Sequence, residues 1–286
     1  MKVLVTGVRG QLGHDVMKEL AARGIPAVGA DIGEFDLTDR AATEAFVLGE
    51  QPDVIVHCAA FTAVDKAESE KELCRRVNVD GTANIAACAK KLDAKLVYIS
   101  TDYVFDGQGE APFEADSPAN PINFYGESKW LGEQAVRECV KKAFIIRVSW
   151  VFGLNGGNFV KTMLRLAETR NEQNVVGDQI GSPTYTPDLS RLIADMIGTE
   201  QYGTYHATNE GFCSWHEFAC KIFEYSNISM KVNALTSEEY NERFHPAAKR
   251  PFNSRLSKKS LDLAGFARLP SWEDALRRYL QELKNQ

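Results

Sequence analysis

The chain lacks the features that mark several broad classes of protein. It has no run of about 18 apolar residues, so a membrane-spanning helix is not expected, and Gly7 comes too early for a secretory signal peptide. Its net charge of -6 argues against a broad nucleic-acid-binding surface. The 6 cysteines and 5 histidines show neither Cys-x-x-Cys nor metal-ligand spacing. We therefore predict reduced cysteines, a cytoplasmic location and no metal site.

A regular alternation of short apolar runs and amphipathic stretches fills the first half of the chain. The apolar runs predict strands at residues 3–5, 26–30, 53–57, 95–100 and 143–148. Helices are predicted between them at residues 11–23, 38–49, 69–92 and 125–140. The apolar runs are continuous, which is typical of parallel strands buried on both faces. This pattern predicts an α/β fold with a doubly wound, Rossmann-like parallel sheet.

Three glycines follow the first predicted strand and open the first predicted helix. Gly7, Gly10 and Gly13 are spaced as G-x-x-G-x-x-G. Glycines at such a turn let backbone N–H groups approach a pyrophosphate, and the N-terminus of a helix favours negative charge. An ordinary tight turn could use the same residues. The position at the start of a β-α-β unit favours dinucleotide binding.

An acidic residue, Asp31, ends the second predicted strand. A carboxylate there can accept hydrogen bonds from the adenosine ribose and repel a 2′-phosphate, which favours NADH. Asp36 and Leu37 are expected to flank the adenine. Arg9, inside the glycine loop, could instead hold a 2′-phosphate, so the cofactor is predicted only as NADH or NADPH.

A tyrosine and a lysine, Tyr125 and Lys129, form Y-x-x-x-K at the start of the helix after the fourth strand. Because residues four apart share a helix face, we expect Lys129 to lower the pKa of Tyr125 and make it a general acid. Thr101 places a hydroxyl after the fourth strand, where ligands of open α/β sheets bind. The alternatives are a surface Tyr–Lys pair and a threonine that caps a turn.

Longer strings resemble one known family over nearly the whole chain. They are GQLG at 10–13, CAAFTAVDKAE at 58–68, NVDG at 78–81, STDYVFDG at 100–107, YGESK at 125–129, RVSWVFG at 147–153, QIGSPT at 179–184 and RPFNSRL at 250–256. The chain resembles the dTDP-4-dehydrorhamnose reductase family of the extended short-chain dehydrogenase/reductase superfamily. The resemblance implies NAD(P)H-dependent reduction of the C4 keto group of dTDP-4-dehydro-L-rhamnose to dTDP-L-rhamnose, a step in surface polysaccharide biosynthesis.

The resemblance also implies roles for particular residues. The catalytic set would be Thr101, Tyr125 and Lys129. The residues bordering the cofactor would be Gly7, Gly10, Gln11, Leu12, Gly13, Ala59, Ala60, Phe61 and Thr62, together with Asp31, Asp36, Leu37, Tyr125 and Lys129. The residues touching the sugar nucleotide would be Val64, Thr101, Asp102, Tyr103, Trp150 and Arg250. Arg250 is predicted at the diphosphate because a guanidinium can bind it bidentately.

Two other functions remain open at this point. A nucleotide-sugar epimerase or dehydratase would share the glycine loop and Y-x-x-x-K but recycle a tightly held NAD, and Asp102 suits a dehydratase. A non-catalytic, NADP-binding regulatory subunit of the kind that serves methionine adenosyltransferase is the second. Some family members hold magnesium at a dimer interface, but Asp15 and Asp188 match those regions poorly, so no metal is predicted and homodimerisation stays open.

The alternation of strands and helices fades after about residue 150, where Gly, Pro and Asn become frequent. We predict a dinucleotide-binding domain over residues 1–150. A smaller C-terminal α/β domain over residues 151–286 would bind mainly the substrate and be interleaved with the first. The expected partner is a dTDP-sugar, with no nucleic acid and no membrane.

Overall fold

A computed structural model describes residues 1–285. The strands are β1 (Val3–Thr6), β2 (Ala27–Ala30), β3 (Val54–His57), β4 (Lys95–Thr101), β5 (Ala143–Val148), β6 (Val151–Phe152), β7 (Glu172–Val176), β8 (Ile180–Gly181), β9 (Thr184–Tyr185), β10 (Gly203–His206), β11 (Asn209–Glu210), β12 (Cys213–Ser214), β13 (Lys231–Leu235) and β14 (Leu269–Ser271). The five strands predicted from apolar runs are all present, with every end within one residue of the prediction.

Helices separate most of these strands. They are α1 (Gln11–Ala22), α2 (Arg40–Glu50), α3 (Val64–Ser69), α4 (Lys71–Arg75), α5 (Thr82–Leu92), α6 (Phe124–Cys139), α7 (Phe159–Ala167), α8 (Thr186–Met196), α9 (Trp215–Ser226), α10 (Ser237–Phe244), α11 (Lys259–Leu263) and α12 (Trp272–Lys284). The helical periodicity predicted over residues 69–92 corresponds to α4, a π-helix (Arg76–Gly81) and α5 in succession.

Six strands form one parallel sheet in the order β2-β1-β3-β4-β5-β10. Every residue of β1, β3 and β5 is buried, as expected for strands covered on both faces. This confirms the predicted doubly wound α/β fold. The chain runs from β1 outward to β2 and then crosses back to β3. Ligands of such sheets bind beyond the carboxyl ends of the strands where the direction of winding reverses.

Two apolar cores pack helices onto the two faces of the sheet. On one face α1 and α8 meet the strands through Val16, Leu20, Leu189 and Ile193. On the other face α2, α5 and α6 supply the residues of the second core. Because the apolar residues of α1 and α8 recur at intervals of three or four, each helix buries one stripe. The two layers leave the carboxyl ends of the strands uncovered for a site.

The second half of the chain builds a third core and also contributes to the sheet. Phe152, Phe218, Trp272 and Tyr279 pack α7, α9 and α12 together. The edge strand β10 comes from the same half of the chain and pairs with β5. The division into domains at residue 150 stays a prediction.

Helix length, cysteine pairing and possible metal ligands can each be examined in residues 1–285. Every helix among residues 1–285 is too short or too polar to cross a lipid bilayer. All six cysteines are free thiols. In the same residues, no group of three His, Cys, Asp or Glu side chains comes together in a way that could hold a metal ion.

Candidate active site

A crevice of about 740 Å³ opens at the carboxyl ends of the central strands. Its walls come from both halves of the chain. Most of the predicted site residues line it: Gly7, Gly10, Gln11, Leu12, Gly13, Asp31, Asp36, Leu37, Ala59, Ala60, Thr62, Val64, Thr101, Asp102, Tyr103, Tyr125, Lys129 and Trp150. Phe61 and Arg250 are the two predicted residues that do not line it.

The glycine loop forms a cradle that no side chain could share. Gly7 has φ +72°, a left-handed conformation that disfavours other residues, and a Cβ there would lie 2.6 Å from the Ala59 nitrogen. A Cβ on Gly13 would lie 2.3 Å from the Gly7 carbonyl oxygen. The exposed backbone of this loop leads directly into α1, whose N-terminus favours an anion. These residues fit the pyrophosphate of a dinucleotide.

Charged groups surround Asp31 at the far end of the crevice. The Asp31 carboxylate accepts hydrogen bonds from the backbone N–H groups of Arg9 at 3.0 Å and Ile32 at 2.9 Å. The exposed guanidinium of Arg9 lies 3.7 Å from the Glu34 carboxylate. A carboxylate and an exposed guanidinium therefore lie at the same end of the crevice, which agrees with leaving both NADH and NADPH open.

The predicted catalytic side chains come together in the middle of the crevice. Thr101 ends β4, and its hydroxyl donates to Asp102 Oδ1 at 2.9 Å. Tyr125 stands in the first turn of α6, which Asn123 caps by accepting the Gly126 N–H at 2.8 Å. Lys129 follows one turn later, is only 3% exposed, and places its ammonium 4.2 Å from the centroid of the Tyr98 ring.

The predicted effect of Lys129 on Tyr125 is wrong in this structure. Enclosure by protein, reinforced by the charge of Asp102, raises the pKa of Tyr125 far above its usual value, although part of its ring still faces the crevice. Burial also lowers the pKa of Lys129 to about 7, so Lys129 is only partly protonated at neutral pH while Tyr125 is neutral. Tyr125 therefore keeps its proton at neutral pH, which suits a proton donor.

Asp102 is a buried carboxylate with spare hydrogen-bonding capacity. It is 3% exposed, and its Oδ2 has no hydrogen-bond partner among residues 1–285. Burial raises its pKa to about 6. An unpaired buried acceptor is costly, and Asp102 is one of the residues that line the crevice.

The substitution Asp102→Asn should stabilise the protein in a pH-dependent way. The pKa of Asp102 is near 3.8 in the unfolded chain, and burial raises it to about 6 in the folded protein. The folded state therefore binds this proton more tightly, and the stability of the wild type decreases as the pH rises through that range. The variant should gain about 1–3 kcal/mol in free energy of unfolding above pH 6, and little below pH 4. Urea denaturation at the two pH extremes measures this. The exposed Glu127→Gln is the control, and an equal gain at both pH values contradicts the assignment.

Asn78, on the π-helix, was not predicted as a site residue. Its side-chain amide accepts from the Phe61 N–H at 2.8 Å and donates to the Phe61 carbonyl at 3.0 Å and to Ser128 Oγ at 2.9 Å. Ser128 in turn donates to the Tyr125 carbonyl at 2.7 Å. Asn78 thus joins the 59–62 segment of the crevice to α6. The NVDG string already contained it, but sequence does not show what it bonds.

A buried ion pair beneath the site was also missed. Arg147 on β5 donates twice to the Glu133 carboxylate, from Nε and Nη2, each at 2.8 Å. Ser100, next to Thr101, donates to the same carboxylate at 2.6 Å. Glu133 lies one turn beyond Lys129 on α6 and is fully buried. These hydrogen bonds connect α6, which carries Tyr125 and Lys129, to β4 and β5.

Arg250 is not part of the crevice lining and is paired with Asp65. Its guanidinium is 2.6 Å from the Asp65 carboxylate. The Asp65 partner comes from the AVDKAE part of the matched strings. A role for Arg250 at a diphosphate stays a prediction.

Comparison with known proteins decides the family. The family model described as RmlD substrate binding domain matches residues 1–285. The dTDP-4-dehydrorhamnose reductase of Clostridium acetobutylicum superposes with a TM-score of 0.96, at 39% identity over 99% of this chain and 100% of its own. The chain belongs to the dTDP-4-dehydrorhamnose reductase family. This confirms the resemblance found in the sequence strings.

Two further relatives of this reductase-family chain are close in sequence. The spore coat polysaccharide biosynthesis protein SpsK of Bacillus subtilis is 42% identical over 98% of this chain and 97% of its own. The dTDP-4-dehydrorhamnose reductase of Bacillus anthracis, solved in complex with NADP, is 44% identical with a TM-score of 0.94, over 98% of this chain and 99% of its own. The chain is therefore an oxidoreductase-family protein along its full described length.

Proposed function

We propose that this chain reduces the C4 keto group of dTDP-4-dehydro-L-rhamnose to dTDP-L-rhamnose with NADH or NADPH. The observation that carries the proposal is the meeting of Thr101, Tyr125 and Lys129 in one crevice with the glycine cradle. The names of the relatives supply the substrate. A reduced nicotinamide dinucleotide would supply the hydride when bound.

Tyr125 and Thr101 would act on the oxygen of the substrate carbonyl. Negative charge develops on that oxygen during reduction, and two hydroxyl donors stabilise it best when they are held in place beforehand. The buried end of β4 holds Thr101, and the capped first turn of α6 holds Tyr125. Since the raised pKa keeps Tyr125 protonated, its phenol can deliver the proton that completes the alcohol.

Lys129 would act after the proton leaves Tyr125 and would hold the nicotinamide ribose. A phenolate one turn away favours the ammonium form of Lys129, so the two groups stabilise each other in the charged state. Glu133 also favours the ammonium form, although burial dominates in the ligand-free protein. The buried position of Lys129 limits competition from water for these contacts.

The remaining predicted roles divide along the crevice. We propose that the dinucleotide binds along Gly7, Gly10, Gln11, Leu12, Gly13, Asp31, Asp36, Leu37, Ala59, Ala60, Phe61 and Thr62, and the sugar nucleotide at Val64, Asp102, Tyr103, Trp150 and Arg250. Phe61 does not line the crevice, but two hydrogen bonds with Asn78 fix its backbone, so Phe61 would contribute to cofactor binding by shaping the 59–62 segment. A cytoplasmic location remains a prediction from the sequence, and homodimerisation stays open.

A spectrophotometric assay tests the proposed reaction. The purified chain is mixed with dTDP-4-dehydro-L-rhamnose made in situ, and with NADH and NADPH in separate reactions. We expect loss of the reduced-nicotinamide absorbance in step with formation of dTDP-L-rhamnose, identified by mass and by comparison with a standard. A sugar product formed without net nicotinamide oxidation would point to an epimerase or dehydratase instead. No reaction, with tight binding of a second enzyme, would favour the regulatory subunit.

A further inference from the structure

Two tryptophans from distant parts of the chain stack on each other at the crevice. Trp150 follows β5, and Trp215 is the first residue of α9. Their ring centroids are 3.7 Å apart and their planes differ by 16°. Both indoles line the crevice, and both are partly exposed. Trp150 is among the residues we place at the sugar nucleotide, whereas Trp215 has been given no role.

The backbone of Trp150 is held in an unfavourable conformation. Its φ is +50°, in the left-handed region that residues with large side chains rarely adopt. Such a conformation persists only where the surroundings impose it. The stacked indole of Trp215 is one of the contacts available to impose it, because aromatic pairs contribute attraction beyond the area they bury.

Gly181 supplies a second contact on the Trp150 ring. A Cβ placed on Gly181 would lie 2.9 Å from both Cε2 and Cζ2 of the Trp150 indole. The ring therefore rests on backbone that a side chain would push away. Gly181 pairs with Cys213 across β8 and β12, so the support beneath Trp150 and the start of α9 belong to one small sheet.

Trp215 is itself firmly placed. Ser214 and Glu217 form a capping box around the start of α9, with the Glu217 N–H donating to Ser214 Oγ at 3.0 Å and the Ser214 N–H donating to Glu217 Oε2 at 2.7 Å. Phe159 packs against the Trp215 indole at a centroid distance of 4.6 Å. The stack is therefore built from a fixed partner, Trp215, and a strained one, Trp150.

From this arrangement we infer that Trp215 is a positioning residue for substrate binding, which holds the Trp150 indole as the wall of the sugar-nucleotide half of the crevice. The inference rests on the proposed function, since it takes the sugar nucleotide as the ligand of that half. Without Trp215, Trp150 can relax its backbone and its ring leaves the wall. The nicotinamide half, built on the glycine loop, keeps its shape.

The test is a double-mutant cycle on Trp150 and Trp215. The variants Trp150→Ala, Trp215→Ala and the double variant are assayed for kcat and KM with the sugar nucleotide, and for NADPH binding by calorimetry. We expect Trp215→Ala to raise the KM for the sugar nucleotide about 2- to 12-fold, the range expected for one aromatic pair. NADPH affinity should stay within about twofold of the wild type, because the glycine loop is untouched.

The double variant separates a positioning role from direct contact. If Trp215 acts through Trp150, the double variant should be no worse than Trp150→Ala alone. Effects that multiply would overturn the inference, because they would mean that Trp215 touches the ligand independently. Equal losses of NADPH and sugar-nucleotide binding, or no effect of Trp215→Ala, would also overturn it.

Three further variants distinguish an effect of the Trp150–Trp215 stack on the KM from a general loss of folding. Trp215→Phe keeps an aromatic ring and should recover part of the KM, while Gly181→Ala should raise the KM by displacing the Trp150 ring. Trp272→Phe makes the same Trp-to-Phe change in the same core but outside the crevice, and should leave the KM unchanged.

Calorimetric binding of dTDP-L-rhamnose to the same variants keeps the test valid even without turnover. Absence of wild-type turnover would count against the proposed function, and unchanged binding in Trp215→Ala against the inference.

Discussion

Replacing Tyr125 by phenylalanine is expected to lower kcat at least about 100-fold, the lower end of the usual contribution of a general acid. The phenol is the group with a firmly held proton beside Thr101, and the variant keeps the ring while removing that proton. NADPH affinity should change little, because the glycine cradle and Lys129 remain. Steady-state kinetics and calorimetric binding measure the two quantities separately.

The matched control for this change is Tyr202→Phe. Tyr202 has a hydroxyl without a hydrogen-bond partner among residues 1–285, packs edge-on against Phe144, and lies outside the crevice lining. Its loss should leave kcat unchanged. Near-normal turnover in Tyr125→Phe would remove Tyr125 from the role of proton donor and leave Thr101 as the main polar contact to the carbonyl.

Replacing Glu133 by alanine is expected to cost about 3–5 kcal/mol in free energy of unfolding. The variant leaves the fully buried guanidinium of Arg147 without its two 2.8 Å contacts to carboxylate, and Ser100 without its acceptor. An uncompensated buried charge is far more costly than a lost surface contact. Denaturation with urea at neutral pH gives the value, provided that unfolding is two-state.

Two control variants show whether the loss of stability in Glu133→Ala comes from the unpaired buried charge. Glu224→Ala breaks an ion pair of similar length, 2.7 Å to Lys221, but on the surface, and should leave stability nearly unchanged. The double variant Glu133→Leu/Arg147→Met should recover most of the loss, since neither charge is then left alone. A small effect of Glu133→Ala would mean that water solvates the Arg147 guanidinium in place of the carboxylate. No recovery in the double variant would mean that the loss comes from packing and not from an unpaired buried charge.

The secondary structure of the first half followed from local signals in the sequence. Continuous apolar runs predicted β1 to β5 because parallel strands must be apolar on both faces. Asp39 caps α2 by accepting hydrogen bonds from two N–H groups at its start, a role for which aspartate is a preferred residue. The π-helix at Arg76–Gly81 was missed because it continues the helical periodicity and differs only in its hydrogen bonds.

The candidate site could be predicted only as far as its motifs. The glycine loop and Y-x-x-x-K have local spacing, so they placed Gly7 and Tyr125 at the crevice. The direction of the Tyr125 pKa shift depends on how much protein encloses the phenol, which spacing does not show. The Glu133–Arg147 and Trp150–Trp215 contacts join separate elements of the fold, so no local pattern could indicate them.

The most direct measurement of the central claim follows a hydrogen isotope from the nicotinamide to the sugar. The reaction is run with NADPH that carries deuterium at both C4 positions of the nicotinamide, and the sugar product is analysed by mass spectrometry and NMR. We expect one deuterium at C4 of the new alcohol for every nicotinamide oxidised. An unlabelled alcohol, deuterium at another carbon, or a changed sugar with no net oxidation of the nicotinamide would contradict it.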